Sequence, residues 1–337
     1  MSGGAGRPSR AAFSRRYLLA RYPSGGVVVD LSSGNYFRVN ATAALVCDAL
    51  IGSEEAEPVV ARELGIPDEE ASRLVSDVVA HLAGPAVRIA PPGAYHFFAV
   101  EGGYVLRQGE RPLLEVDRAA TTVSLPGGRP PERPEMLEFY ARALAPKLLF
   151  QREITVLHAS SCLTDDGRVL AFAGLSGAGK TTTVRAFGER MRLLSEDLLV
   201  FAPEAEEPRV FLDAERGIHG WARHLADALR ISPQGVSPPD VTSVITGPTV
   251  PVERILFLDR TRRSGDAFTT RPLDKPEALV TFMTHDFLGD REVATWRRYF
   301  LTAAALVSKL EMHEASAPDG LERLPGAVAA YISKRAS

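Results

Sequence analysis

Hydrophobic and polar positions along the chain change period several times, and the changes mark out elements. Val27 to Asp30 is a β-branched run that predicts a strand; Ser32-Ser33-Gly34-Asn35 supplies a turn, and Tyr36 to Val39 the return strand. Asn40 then stands where a helix N-cap belongs. Three helical segments follow: 41–50, 54–64 closed by Gly65, and 68–82 closed by Gly84. In the last, Ala71, Leu74, Val75, Val78, Val79 and Leu82 recur at three and four residues, the spacing of one helix face. A hairpin with three helices over residues 23–84 predicts a winged-helix-like α+β module. Residues 1–22 carry five arginines and no apolar signal core, and read as a flexible basic tail. Gly84, Pro85, Pro91, Pro92 and Gly93 bracket a linker over 85–93, and from 94 to 337 strand and helix patterns mix. A Gly/Pro-rich loop, Leu125 to Pro134, precedes a helix starting near Glu135.

Composition narrows the class. The chain has 337 residues, 45% hydrophobic and 24% charged, which is globular and long enough for about two domains. A net charge of −3 advertises no nucleic-acid partner. The two cysteines, Cys47 and Cys162, lie far apart and outside any C-x-x-C spacing; this excludes a disulfide scaffold and a cysteine-built zinc site and points to a reducing, cytoplasmic setting. No apolar run reaches the ~18–20 residues of a membrane span.

The chemistry concentrates in one stretch. Arg168 to Ala173 is an apolar strand that runs into Gly174-Leu175-Ser176-Gly177-Ala178-Gly179-Lys180-Thr181, followed by a helical segment beginning Thr181-Thr182. This is the G-x-x-x-x-G-K-[ST] phosphate loop in its strand–loop–helix context. Its glycines let successive N–H groups turn inward to phosphate oxygens, Lys180 adds positive charge, the Thr181 hydroxyl suits Mg²⁺, and the helix N-terminus adds partial positive charge. Downstream, Ser195-Glu196-Asp197 interrupts an apolar stretch, which predicts carboxylates beside the phosphates; a solvated turn is the plainer alternative. Ile154 to Leu163 is strand-like, and Thr164 to Gly167 is a hairpin signal. Pairing residue 163, or 165, with 168 sets His158 opposite Ala173 to Leu175, at the mouth of the loop, where it serves the site or is a satisfied structural histidine.

The L-H-A-S-S segment at His158, G-L-S-G-A-G-K-T over Gly174 to Thr181 and S-E-D at Glu196-Asp197 together resemble the HPr kinase/phosphorylase family. The resemblance covers roughly 94–337 and is specific only over 154–201. It implies an α/β fold with a kinase domain akin to the core of phosphoenolpyruvate carboxykinase, and ATP- and Mg²⁺-dependent phosphorylation of a protein serine, which some family members reverse with phosphate. The roles it implies are phosphate binding by the amides of Ser176 to Thr182, charge neutralisation by Lys180, Mg²⁺ on Thr181 and Asp197, proton acceptance by Glu196, and positioning of Glu196 or phosphate contact by His158. The family pair is usually Asp-Asp, and Glu196 is one methylene longer. The family's basic substrate loop has no clear counterpart here; Arg297, Arg298 and Lys309 are candidates by charge alone.

Gly26 through Asn40, read as G-x-x-V-x-D-x-x-S-G-x-Y-F-x-x-N, resembles the PqqD-like domains that recognise leader peptides in ribosomal peptide biosynthesis. Such domains take an extended peptide as an added strand. The alternative, a winged-helix DNA binder, fits poorly with Asp68, Glu69, Glu70 and Asp77 against Arg73 on the third helix. The expectation is an α/β protein in which a PqqD-like module (23–84) captures a precursor peptide and a P-loop kinase domain (94–337) phosphorylates a hydroxyl on it, without nucleic acid or membrane partners and with the family's hexamers as precedent for a homo-oligomer. A kinase of a small metabolite or carrier protein, and a nucleotide-gated peptide-binding chaperone, are the alternatives.

Overall fold

The computed structural model describes residues 10–53, 55–83, 95–175, 177–188, 191–203, 205–259, 265, 267–285, 293–318 and 321–335. The linker expected over 85–93, Ser176 and the first nine residues of the expected tail lie outside them. The chain divides into two compact units: Met1–Ala90 with Asp274–Val280 and Val293–Ala304, and Pro91–Leu273 with Thr281–Glu292 and Ala305–Ser337.

In the first unit, helix α1 (Arg10–Arg16) leads into strands β1 (Tyr17–Tyr22), β2 (Gly25–Asp30) and β3 (Asn35–Val39), an antiparallel sheet in the order β1-β2-β3. Helices α2 (Ala41–Gly52), α3 (Ala56–Leu64) and α4 (Asp68–Ala83) follow. The Asn40 side chain accepts from the Ala43 amide at 2.8 Å, the expected N-cap, and Gly65 closes α3 in the left-handed region at φ 65°.

Residues 10–22 are not a tail. Phe13, Tyr17, Leu18 and Ala20 are buried, and β1 pairs residue for residue with β2 from Tyr17↔Asp30 to Tyr22↔Gly25. The arginines around this short apolar stretch disguise it, because a strand needs only one buried face. Arg16 lies over a buried partner: its Nη2 donates to Asp30 at 2.8 Å, and the Ser32 hydroxyl donates to the same carboxylate at 2.6 Å. Residues 274–280 and 293–304, which the sequence pattern assigned to the second domain, fall in this unit. Arg38 pairs with Asp274 and the Tyr22 hydroxyl donates to the Ala304 carbonyl at 3.3 Å, contacts that no local pattern announces.

The second unit opens with an antiparallel sheet of β4 (Tyr95–Val100), β5 (Gly103–Gln108), β6 (Arg111–Asp117) and β7 (Val123–Ser124), then α5 (Met136–Gln151). Next in the chain come β8 (Val156–Leu163), β9 (Val169–Ala173), α6 (Lys180–Gly188), β10 (Arg192–Ser195), β11 (Leu198–Val200), β12 (Arg209–Phe211), α7 (Ala214–Ile231), β13 (Thr249–Leu258), β14 (Thr269–Pro272), α8 (Lys275–Thr284), α9 (Val293–Lys309), β15 (Met312–Ser316) and α10 (Leu324–Arg335); of these, α8 up to Val280 and α9 up to Ala304 belong to the first unit. The larger sheet has the order β10-β8-β9-β13-β15-β14, with β11 also on β8 and β12 on β13. Within it β9, β13 and β15 run parallel, and the other pairs are antiparallel. Helices α6 and α10 bury Val184, Phe187, Leu324 and Val328 with Leu170, Phe172 and Leu256 of the sheet. Helices α5 and α7 bury Leu144, Leu148, Trp221 and Leu225 with Val156, Leu198 and Val200, and with Leu106, Leu114 and Val123 of the smaller sheet. The result is an α/β fold. Its three parallel strands end level with one another, Ala173 against Phe257 and Leu258 against Ala315, and this carboxyl edge is where such sheets place their sites.

Asp30 gives the first unit a pH-dependent anchor. Burial works against its charge, but the hydrogen bonds from Arg16 and Ser32 outweigh it and bring the carboxyl down to about 2. A depressed folded-state value stabilises the fold above the unfolded pKa of about 3.9, and that stability is lost as pH falls toward the folded value. Asp30→Asn is expected to cost about 2–3 kcal/mol at pH 7. Urea titrations of wild type and variant should show the gap narrowing by roughly half by pH 3.

Candidate active site

The phosphate loop leaves β9 at Gly174, where a side chain would not fit: a Cβ would meet the Ala178 Cβ at 2.9 Å and the Leu258 carbonyl at 3.2 Å. Gly177 and Gly179 take φ of 75° and 94°, which L side chains rarely adopt, and α6 starts at once with Lys180. Lys180 is 7% exposed, and its Nζ donates to the Gly174 carbonyl at 2.9 Å, folding back over the start of the loop. Burial lowers its pKa, while Asp197 acts in the opposite sense. Leu175 is exposed, Thr181 half-buried and Thr182 exposed at the head of α6.

Strand β8 brings the other groups to this loop. On one side it pairs with β9, from Leu163↔Val169 to Ala159↔Ala173. The register lies midway between the two that the hairpin sequence allows, and one residue further it sets His158 level with Gly174. On its other side β8 meets first β10 (Ser161↔Ser195) and then β11 (His158↔Leu198). Glu196 and Asp197 occupy the break between these two short strands.

A break in a strand leaves backbone groups without ladder partners, and here each has a substitute. The Ala159 amide donates to the Asp197 carbonyl at 3.2 Å, and the Ser160 hydroxyl donates to the Glu196 carbonyl. The amides of Glu196 and Asp197 both donate to one carboxylate, that of Glu215 in the first turn of α7, at 2.8 Å each.

The two acidic side chains part company. Asp197 Oδ1 lies 3.7 Å from His158 Nε2, and Oδ2 lies 3.9 Å from Arg142 Nη1 on α5. His158 is the chief influence holding the Asp197 carboxyl below its usual range; burial opposes it, and the charges of Arg142 and Lys180 reinforce it. Glu196 instead meets Arg185 of α6 at 3.0 Å, its side chain 44% exposed. The expectation that His158 positions Glu196 is therefore corrected: β8 and β11 place the imidazole across from Asp197, and Arg185 claims Glu196.

Arg142, His219, Glu215 and His285 belong to this cluster and carry no motif. Arg142 Nη1 lies 3.5 Å from His219 Nε2 of α7. His285, just past α8, has Nδ1 2.7 Å from the Thr281 carbonyl and its ring 5.2 Å from that of Phe257. Burial holds its imidazole below the usual histidine value; the Thr281 bond opposes this, and the charges of Lys180 and His158 add to it. Only a helical apolar period after residue 213 signals α7, and nothing in the sequence ties its Glu215 to residues 196 and 197.

Of the basic candidates, Lys309 Nζ donates to the Ala205 carbonyl at 3.2 Å, and Arg297 and Arg298 fall in the first unit. Cys47 and Cys162 are buried and form no disulfide. Among the described residues no three His, Cys, Asp or Glu side chains gather to hold a metal ion, and no helix is long and apolar enough to cross a membrane.

No protein-family profile and no curated protein sequence matches the chain. Among solved structures, it is similar to the Hpr(Ser) kinase/phosphatase from Coxiella burnetii, at 10% identity over 54% of this chain and 99% of that one, with a TM-score of 0.24. An overlap that loose says nothing about which residues do chemistry here.

The Glu215 clamp predicts a local signature. A hydrogen bond to a charged group contributes about 1.5–3 kcal/mol, so Glu215→Ala should speed hydrogen exchange at the Glu196 and Asp197 amides by about tenfold or more. Exchange measured by NMR or fragment mass spectrometry checks this, and unchanged rates at both amides would refute it.

Proposed function

We propose that this chain is an ATP- and Mg²⁺-dependent phosphotransferase whose acceptor is a hydroxyl, a serine in the simplest case, of a ribosomally made precursor peptide. The observation that carries the reading is the meeting of Lys180, His158 and Asp197 at the open end of the P-loop strand. A buried ammonium with one hydrogen-bond acceptor, beside glycine-shaped backbone, suits phosphate oxygens.

The hard oxygens of Thr181 and Asp197 fit Mg²⁺, which keeps several waters and takes further ligands from phosphates, so a cage of three protein carboxylates is not required. When bound, the ion supplies charge neutralisation between the phosphates. The loop amides and Lys180 hold the β- and γ-phosphates. His158 keeps Asp197 ionised. Glu196, exposed at the rim, receives the acceptor proton as the acceptor oxygen bonds to γ-phosphorus and the bond to the ADP oxygen breaks. The work is mostly positioning and charge stabilisation.

The peptide half of the proposal rests on the first unit. Among the described residues β3 pairs on one side only, with β2, and an extended chain can add to such an edge through main-chain hydrogen bonds. Capture there would raise the local acceptor concentration, so the catalytic unit need read little sequence.

The test is the intact mass of candidate precursor peptides, encoded beside this protein's gene, after incubation with the protein, ATP and Mg²⁺. A gain of one phosphoryl group is expected, lost on removal of the leader. Lys180→Ala should abolish the gain while leaving leader binding, measured by fluorescence anisotropy, unchanged. Peptide binding without any phosphopeptide would favour a nucleotide-gated chaperone, and transfer without peptide binding a small-molecule kinase.

A further inference from the structure

Arg142 differs from three other arginines of the second unit. Arg185 meets Glu196 at 3.0 Å, Arg254 meets Glu311 at 2.7 Å and Arg271 meets Glu314 at 2.9 Å. Each guanidinium there is matched to a carboxylate. Arg142 has its carboxylate at 3.9 Å, beyond hydrogen-bond range, and its other polar contact is 3.5 Å to a ring nitrogen of His219. A guanidinium can only donate, so His219 Nε2 must be the unprotonated nitrogen for that contact to be attractive.

A cation–π contact accompanies it. The Arg142 Cζ sits 5.6 Å from the centre of the Phe139 ring, three residues earlier on α5. Such a contact favours the guanidinium over the ring without occupying its N–H donors. The side chain is 32% exposed, and neighbours Tyr140, Ala141 and Leu144 anchor its helix in the core. A charged fork is thus held still, loosely partnered, beside the carboxylate that Lys180 also influences.

We propose that Arg142 is a catalytic residue that binds the oxygens of the phosphoryl group in transit. The inference rests on the phosphotransferase reading and adds to it a second cation besides Lys180. In a transfer from ATP to a hydroxyl, charge spreads over the three equatorial oxygens of the moving group, and a preset bidentate donor binds that arrangement better than the ground state. His219 and Phe139 are its positioning residues: one takes an N–H, and the ring of the other lies under the cation.

The experiment needs no knowledge of the acceptor. Binding of Mg²⁺ with AMP-PNP, a ground-state analogue, and of Mg²⁺-ADP with aluminium fluoride, a transition-state analogue, is measured by calorimetry on the full chain. In the wild type the second should bind more tightly. Arg142→Gln should leave AMP-PNP affinity within about twofold and weaken the aluminium fluoride complex by about a hundredfold, the usual cost of removing one transition-state donor. Arg142→Lys should restore only part, since an ammonium is a point charge without the fork. Equal affinities for the aluminium fluoride complex in wild type and Arg142→Gln would overturn the inference and leave the P-loop reading standing. A parallel loss of both analogues would make Arg142 structural and overturn it as well. Failure of the wild type to bind either nucleotide would remove the phosphotransferase reading, and the inference with it.

Discussion

Two consecutive amides, those of Glu196 and Asp197, lie where a strand stops and restarts, and the Glu215 carboxylate accepts both. Without an acceptor the turn would have to find water or refold, because unsatisfied N–H groups are costly in a half-buried site. With it, α7 is tied to the break between β10 and β11, and the Asp197 side chain is committed to the side of His158 and Lys180. The positions of the remaining polar groups follow. Arg142 reaches the same carboxylate because α5 and α7 share one hydrophobic cluster, and His219 is one turn along α7 from Glu215.

Electrostatically the cluster is balanced: two cations, Lys180 and Arg142, stand with two carboxylates, Asp197 and the Glu215 group that holds the turn. Lys180 and Arg142 are cationic, Asp197 is held ionised by His158, and burial disfavours a charge on His285. Glu196 pairs instead with Arg185 and leaves this balance unchanged. The Glu215 carboxylate is engaged by two backbone amides, which leaves Lys180 and Arg142 as the cations nearest Asp197. The burial that lowers the Lys180 pKa is the burial that strengthens its pull on an anion.

Local signals and long-range ones differ in how far they reach. The three helices after β3, the Asn40 cap, the Gly65 stop and the strand–loop–helix order at Gly174 to Lys180 are each set by residues within one turn or one hairpin, so they are legible in the sequence. His158 is legible for the same reason, because the hairpin at 164–167 carries its register. Strand β1 is hidden because its apolar residues are few and flanked by arginines, one of which is spent on a buried aspartate. Glu215, Arg142 and His285 are hidden for a different reason. Each reaches the site through packing of an element far away in sequence, and an ordinary glutamate, arginine or histidine on a helix has no local mark of that.

The split between legible and hidden residues also separates two kinds of work. The legible ones, the loop glycines, Lys180 and Thr181, belong to a backbone shape that any strand–loop–helix of this spacing can make. They suit phosphate and say little about what receives it. The hidden ones lie on the far side of Asp197, on α5, α7 and the end of α8, and they give this site its own charge pattern. What sets this site apart from any other strand–loop–helix is therefore the group on α5 and α7, because the loop itself is generic. On the phosphotransferase reading, a chain with an intact phosphate loop but a changed Arg142 would still bind its nucleotide and lose the transfer step, which is how the generic part of the site and its particular part come apart.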